Sequence, residues 1–191
     1  MRLVLASRSP RRAELLTLAG YKFAIVPADI DETGRPGECG TDLVRRLALE
    51  KMQAVSKLVS EGDQVIIGAD TAVLDGDRIL GKPADKSEAE GMLCRLSGRA
   101  HEVVTGVAIE AGGQVLDEVV STHVVFRELT DRDISWYVAT GESFGKAGAY
   151  AIQGLASRFV TRIEGSYSNV VGLPISTIDG LLARLVGGQS F

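Results

Sequence analysis

The chain has 191 residues, of which 45% are hydrophobic and 24% charged, enough for a sizeable core in one domain over residues 1–191 or in two tightly joined lobes. Its net charge of −4 excludes a general nucleic-acid-binding surface, so any basic site must be local. Cys39 and Cys94 lack zinc-ligand spacing and suggest no disulfide framework. No apolar run reaches membrane-spanning length, and too few apolar residues precede Ser7-Arg8 for a secretory core. The expectation is a cytoplasmic protein with reduced thiols and no membrane partner.

Leu3-Val4-Leu5-Ala6 reads as a strand that stops at Ser7-Arg8-Ser9. A helix follows, with Ser9 as N-cap, Pro10 at its first position and Leu15, Leu16 and Leu18 as apolar positions. Arg11 and Arg12 then stand beside the positive end of the helix dipole, where a cation costs roughly 0.3–1 kcal/mol. Together with the Ser7 and Ser9 hydroxyls they form a cluster of donors suited to a polyanion, or else a basic helix start solvated by water. Gly20 closes the helix. Residues 22–27 read as a strand, Asp29-Ile30-Asp31-Glu32 as an acidic loop, and residues 41 to about 60 as a long helix. Leu43, Leu47 and Val55 mark its apolar face. Lys51 lies near that face, where a lysine ordinarily snorkels to the surface.

Val65-Ile66-Ile67 reads as a buried strand that ends in Gly68-Ala69-Asp70-Thr71. A carboxylate and a hydroxyl just beyond an apolar run are either active-site groups of an open α/β sheet or simple turn formers. Asp75-Gly76-Asp77 is a hairpin turn, and the return strand to Gly81-Lys82-Pro83 brings Lys82 back toward Asp70. Ser87 and Glu90 read as a capping box for a helix through Met92, Leu93 and Leu96, stopped by Gly98. Residues 101–111 and 114–127 read as long strands joined at Gly112-Gly113. His101 and His123 fall there as ordinary strand residues. Thr130 with Asp133 opens a short helix that ends near Gly141. The loop from Gly145-Lys146 to Gln153-Gly154 suits backbone approach to a ligand and a tight packing turn equally well. Residues 158–163 read as a strand, 165–169 as a polar turn, and Leu181, Leu182 and Leu185 as the face of a terminal helix. The pattern is mixed α/β: an elongated twisted sheet with flanking helices and a cleft between two lobes.

The unusual polar groups are Ser7, Arg11, Arg12, Glu32, Lys51, Asp70, Thr71, Lys82, Lys146 and Gln153. Five cations with a few carboxylates suit a polyphosphate held with a divalent ion, since phosphoryl chemistry is largely positioning and charge neutralisation. The P-loop pattern is absent. The residues alone therefore point to a phosphate-rich small molecule and its hydrolysis.

Five motifs in register carry a resemblance: Ser7-Arg8-Ser9-Pro10-Arg11-Arg12, Gly68-Ala69-Asp70-Thr71, Gly81-Lys82-Pro83, residues 145–150 with Gln153-Gly154, and Val171-Gly172-Leu173-Pro174. In order and spacing the chain resembles the Maf family from residue 3 to past residue 174. The resemblance implies a two-lobed α/β fold similar to that of inosine triphosphate pyrophosphatases. It also implies a metal-dependent nucleoside triphosphate pyrophosphatase that releases a nucleoside monophosphate and pyrophosphate. Asp70 matches the family's general base, and Asp70 with Glu32 the site of a divalent cation, Mg or Mn. Ser7, Arg12, Lys51 and Lys82 match the phosphate-binding set, which Lys146 joins as a substrate-binding cation. Arg11, Thr71 and Gln153 match positions tied to substrate choice. Their combination resembles the subgroup acting on dTTP and UTP rather than on 7-methyl-GTP. A glutamine amide is complementary to the O4 and N3–H edge of uracil or thymine. Members are often dimers, so a homodimer is expected. The rival implication is a regulatory protein whose effect on septum formation needs nucleotide binding rather than hydrolysis.

Overall fold

A computed structural model describes residues 1–59 and 64–187. Its strands are β1 (Arg2–Ala6), β2 (Phe23–Ile25), β3 (Gln64–Asp75), β4 (Arg78–Leu80), β5 (Ala100–Ala111), β6 (Gln114–Phe126) and β7 (Val160–Glu164). Its helices are α1 (Pro10–Leu18), α2 (Gly40–Ser56), α3 (Lys86–Leu96), α4 (Asp131–Ala139), α5 (Tyr167–Val171) and α6 (Ile175–Val186). The strands form one sheet in the order β2-β1-β3-β5-β6-β7, with β4 also on β3. β1 pairs parallel with β2 and β3, and the sheet turns antiparallel from β3 onward. Mixed α/β architecture with flanking helices is as the pattern predicts. Among the described residues no helix is long and apolar enough to cross a membrane.

Alternation along β3 sends its residues to the two faces of the sheet. Val65, Ile67, Ala69 and Val73 pack with side chains of α1, α3, α4 and α6 in the larger core. Ile66, Ala72 and Leu74 face α2 instead, with Val44, Ala48, Met52 and Val55. On this second face the helix lies unusually close. A Cβ at Gly68 would collide with the Ala48 carbonyl, and one at Gly106 with the Val44 carbonyl. Glycine within a strand is the usual mark of such close backbone approach.

The sheet has a notch where the parallel part ends. β1 stops at Ala6, opposite Gly68, and β4 joins the same edge of β3 only at Val73. Between them β3 keeps only β5 as a neighbour, with Asp70 opposite Gly106 and Thr71 opposite Thr105. Asp70 and Thr71 are therefore mid-strand, not beyond the strand end as the apolar run suggested. They look terminal in the sequence because β3 crosses a cleft there, and a cleft-facing stretch is polar.

Other boundaries also move. Ser9 holds the N-cap position of α1 without a side-chain cap, and its own N–H donates to the Ser7 hydroxyl at 3.1 Å. α2 ends at Ser56, short of residue 60, which lies outside the described residues. α3 begins at Lys86, so Asp85 accepts the Glu88 N–H at 2.8 Å and the Glu88 carboxylate accepts the Ala84 N–H at 2.7 Å. That reciprocal pair displaces the box expected at Ser87 and Glu90. A short 3₁₀ turn over Leu155–Arg158 delays β7 to Val160. The expected polar turn at 165–169 instead starts α5, capped by Ser166 through the Asn169 N–H at 3.2 Å. The second strand shrinks to three residues. The Thr130–Asp133 capping box of α4 is present as expected.

Candidate active site

A cavity of about 810 Å³ opens at the notch. All ten polar residues singled out in the sequence line it, delivered by six separate segments. Ser7, Arg11 and Arg12 come from the turn into α1, Lys51 from α2, and Asp70 and Thr71 from the exposed edge of β3. Glu32 comes from the loop after β2, Lys82 from the turn after β4, and Lys146 and Gln153 from the loop after α4.

Arg12 is 9% exposed. Its Nε donates to the Gly172 carbonyl at 2.8 Å, and its two terminal nitrogens donate to Ser7 Oγ at 3.3 Å and Thr71 Oγ1 at 3.1 Å. All three acceptors are neutral. Among the described residues no carboxylate pairs with it directly. Burial pushes its pKa below the ordinary guanidinium value, against the pull of Asp70 and Glu32 and with the push of Arg11. Two of its five N–H groups remain for a ligand. A buried cation with only neutral partners is an anion site in waiting, since burying a charge without a counter-charge is costly.

Lys51 is just as buried and is arranged in the opposite way. Its ammonium lies 2.6 Å from Asp70 Oδ1 and 2.5 Å from Glu32 Oε1. It is thus no snorkelling surface lysine: the close seat of α2 on Gly68 and Gly106 drives it against β3. Glu32 reaches on to Lys82, 3.6 Å from its other oxygen. Partial burial pushes the Glu32 carboxyl up, but Lys51 and then Lys82 outweigh this and hold it below its ordinary value. Lys51 takes one oxygen of Asp70, and the other has no hydrogen-bond donor among the described residues.

The rim is looser. Arg11 is partly buried and its pKa is lowered by that burial. Lys146 is lowered by burial and then by Arg11, and it donates to the Phe144 carbonyl at 3.3 Å. Gln153 is exposed. The loop that carries these two is both a packing turn and a cavity wall. Gly148 and Ala149 take left-handed backbone angles, φ 66 and 60, and the Gly148 N–H donates to the Gly81 carbonyl at 3.0 Å. That bond ties the loop to the turn bearing Lys82. For Ala149 the conformation costs about 1–2 kcal/mol, which the buried surroundings must offset.

Sequence reasoning missed a polar spine behind the cavity. Thr71 Oγ1 meets Thr105 Oγ1 at 3.0 Å, and Thr105 donates to the Asn169 carbonyl at 3.2 Å. The fully buried Asn169 amide donates to the Val103 carbonyl at 2.9 Å and Thr122 Oγ1 at 3.0 Å. These residues fix α5, and hence the Gly172 carbonyl that holds Arg12. Tyr150 forms another part of the wall, its hydroxyl 2.9 Å from His101 Nε2. Burial drives the His101 pKa down to about 4, so it packs there as a neutral ring.

Among the described residues no group of three or more His, Cys, Asp or Glu side chains is placed to hold a metal. Glu32 and Asp70 nevertheless converge on one ammonium, which makes them a pair of hard oxygen donors facing the cavity. Magnesium is typically held by one or two carboxylates together with substrate phosphates, and this pair fits that pattern.

Compared with known proteins, the family described as Maf-like protein matches residues 2–185. The chain is similar to the dTTP/UTP pyrophosphatase of Anaeromyxobacter dehalogenans, with 51% identity over 96% of this chain and 93% of that one. It is also similar to the dTTP/UTP pyrophosphatase of Geobacter sp. strain M21, with 54% identity over 97% and 95% of the two chains. Among solved structures it is similar to a nucleoside-triphosphatase / dITP/XTP pyrophosphatase from Mycobacterium abscessus, at 13% identity and a TM-score of 0.44 over 98% and 95% of the chains.

Proposed function

The chain belongs to the Maf family, and from that premise we propose that it is a nucleoside triphosphate pyrophosphatase acting on dTTP and UTP. The observation that carries the reading is Arg12, a buried cation bonded only to neutral oxygens on the floor of a cavity large enough for a nucleotide. A triphosphate supplies the missing negative charge. The names of the relatives at about half identity support the choice of bases.

In this reading Arg12, Ser7, Lys82 and Lys146 hold the phosphate chain, and Arg12 does so without reorganising, because protein bonds already fix its plane. Asp70 is the general base. Lys51 holds it oriented through Oδ1, and the second oxygen takes a proton from water attacking the α-phosphorus. The bond from that phosphorus to the α,β-bridging oxygen breaks, and pyrophosphate leaves with the electron pair. Glu32 and Asp70 would hold a divalent cation, Mg or Mn, which supplies charge neutralisation on the phosphates when bound. Gln153 pairs with the base edge at the mouth, with Arg11 and Thr71 shaping the choice.

The test is product analysis with dTTP, UTP, CTP, GTP and 7-methyl-GTP in the presence of Mg or Mn. Nucleoside monophosphate and pyrophosphate from dTTP and UTP are expected, and chelation should stop the reaction. Nucleoside diphosphate with orthophosphate, or no turnover of any nucleotide, would overturn the proposal.

A further inference from the structure

Glu32 reaches the site from a stretch between β2 and α2 that has no regular structure and stands half exposed. Its placement therefore needs an anchor. Two features bracket it. On one side Asp31 Oδ1 accepts both the N–H of Thr33 at 2.9 Å and its hydroxyl at 2.6 Å, folding the chain tightly around Glu32. On the other side Arg46 of α2 donates to the Thr33 carbonyl at 3.1 Å.

Arg46 is itself locked. Its guanidinium grips both oxygens of Glu38, at 2.6 and 2.7 Å, and a third bond of 3.1 Å reaches Glu50 one turn along the helix. Glu38 in turn accepts the Arg35 N–H at 2.9 Å. The Arg46 and Glu38 side chains are only 14% and 10% exposed, against 64% and 56% for the surface pair Arg162–Glu164. Such a bidentate pair has one geometry and little freedom. Arg46 does not line the cavity, but it stands on the same helix as Lys51, five positions earlier. One rigid element thus carries both the lysine and the clamp that presents its carboxylate partner.

We infer that Arg46 is a positioning residue for Glu32: it fastens residues 33–38 to α2 so that Glu32 arrives at Lys51. The kinetic half of this inference rests on the pyrophosphatase reading, and the structural half does not.

The experiment compares Arg46→Gln, Arg46→Lys and Glu38→Gln with the unaltered chain, each also combined with Glu32→Gln. With dTTP and saturating magnesium, Arg46→Gln should lower kcat by roughly ten- to a hundredfold, the scale expected when a catalytic group is displaced by about an ångström. Glu38→Gln should do the same. Arg46→Lys, which keeps the charge but loses the fork, should fall between and guards against a variant that fails to fold. In the Glu32→Gln background the Arg46 substitutions should change kcat by less than about twofold, because the group they position is gone. Equal losses in both backgrounds would mean a merely structural role and overturn the inference. Amide hydrogen exchange without nucleotide gives the second readout. The Thr33 and Arg35 amides should exchange faster in Arg46→Gln while those of α2 stay protected, and unchanged loop exchange overturns the inference. If the unaltered chain hydrolyses no nucleotide, the pyrophosphatase reading fails, and the exchange result alone decides the clamp.

Discussion

On the cavity floor Arg12, Lys51 and Asp70 sit on α1, α2 and β3, largely buried, each bonded to groups from other elements. At the rim Lys82, Lys146 and Gln153 come from loops, and the Lys82 side chain is 64% exposed where that of Lys51 is 7%. The floor is organised before any ligand arrives, which is where stabilisation of developing charge is most effective. Rim groups keep their hydration until a ligand displaces it, so each contributes less and can change identity with little harm to the fold. In the pyrophosphatase reading the reaction itself is run from the floor, while the rim adds phosphate contacts through Lys82 and Lys146 and reads the base through Gln153.

Substitutions can break that division. Asp70→Asn should cost most: turnover falls by roughly 10²–10⁴-fold, the usual share of a general base, while dTTP still binds by calorimetry. Retention of more than about a tenth of the activity would remove Asp70 from that role. Arg12→Ala comes next, with a loss of roughly ten- to 150-fold, the range for bonds to a charged group. The loss should be the same for dTTP, UTP and CTP. Melting temperature should fall as well, because the Gly172 carbonyl and Thr71 lose a donor. A changed ranking of nucleotides would place Arg12 with the rim instead.

Gln153→Glu sharpens the comparison from the other side. The new carboxylate only accepts, so it meets the O4 acceptor of uracil or thymine with like polarity. Efficiency with UTP and dTTP should drop toward the low end of roughly five- to two-hundredfold, since the position is exposed. CTP, with an amino donor there, should lose less, and melting temperature should hardly move. An unchanged UTP/CTP ratio would sink the base-reading role. Lys146→Met should be the mildest, at most about fivefold in kcat/KM and fading as salt is raised. A loss that survives high salt would make Lys146 a floor residue in effect.

Much of this site was legible where a residue violated a local rule. Arg11 and Arg12 stood out because a helix start repels cations, and Asp70 because a carboxylate followed an apolar run. The error over β3 came from the same signal. A strand that loses one neighbour and continues past a cleft looks finished, and only the pairing of Asp70 with Gly106 shows that it is not. Thr105 and Asn169 were illegible because their meaning is register and distance in the chain: Thr105 matters through Thr71, and Asn169 through α5. Arg46 stands at helical spacing from Glu50, but nothing local announces Glu38 or the Thr33 carbonyl. Gly68 and Gly106 were readable in principle, as glycines inside apolar strands.

Those two glycines also set a rule about chain length. Where backbone rests on backbone there is no layer of side chains to repack, so α2 has neither play nor slack along the stretch from Val44 to Met52. A single residue inserted there, between the contact at Val44 and Lys51, would swing the lysine about 100° around the helix axis and carry it about 1.5 Å along it, away from Asp70. Drift by insertion and deletion is therefore closed to the helix that serves as the gauge for the reacting end.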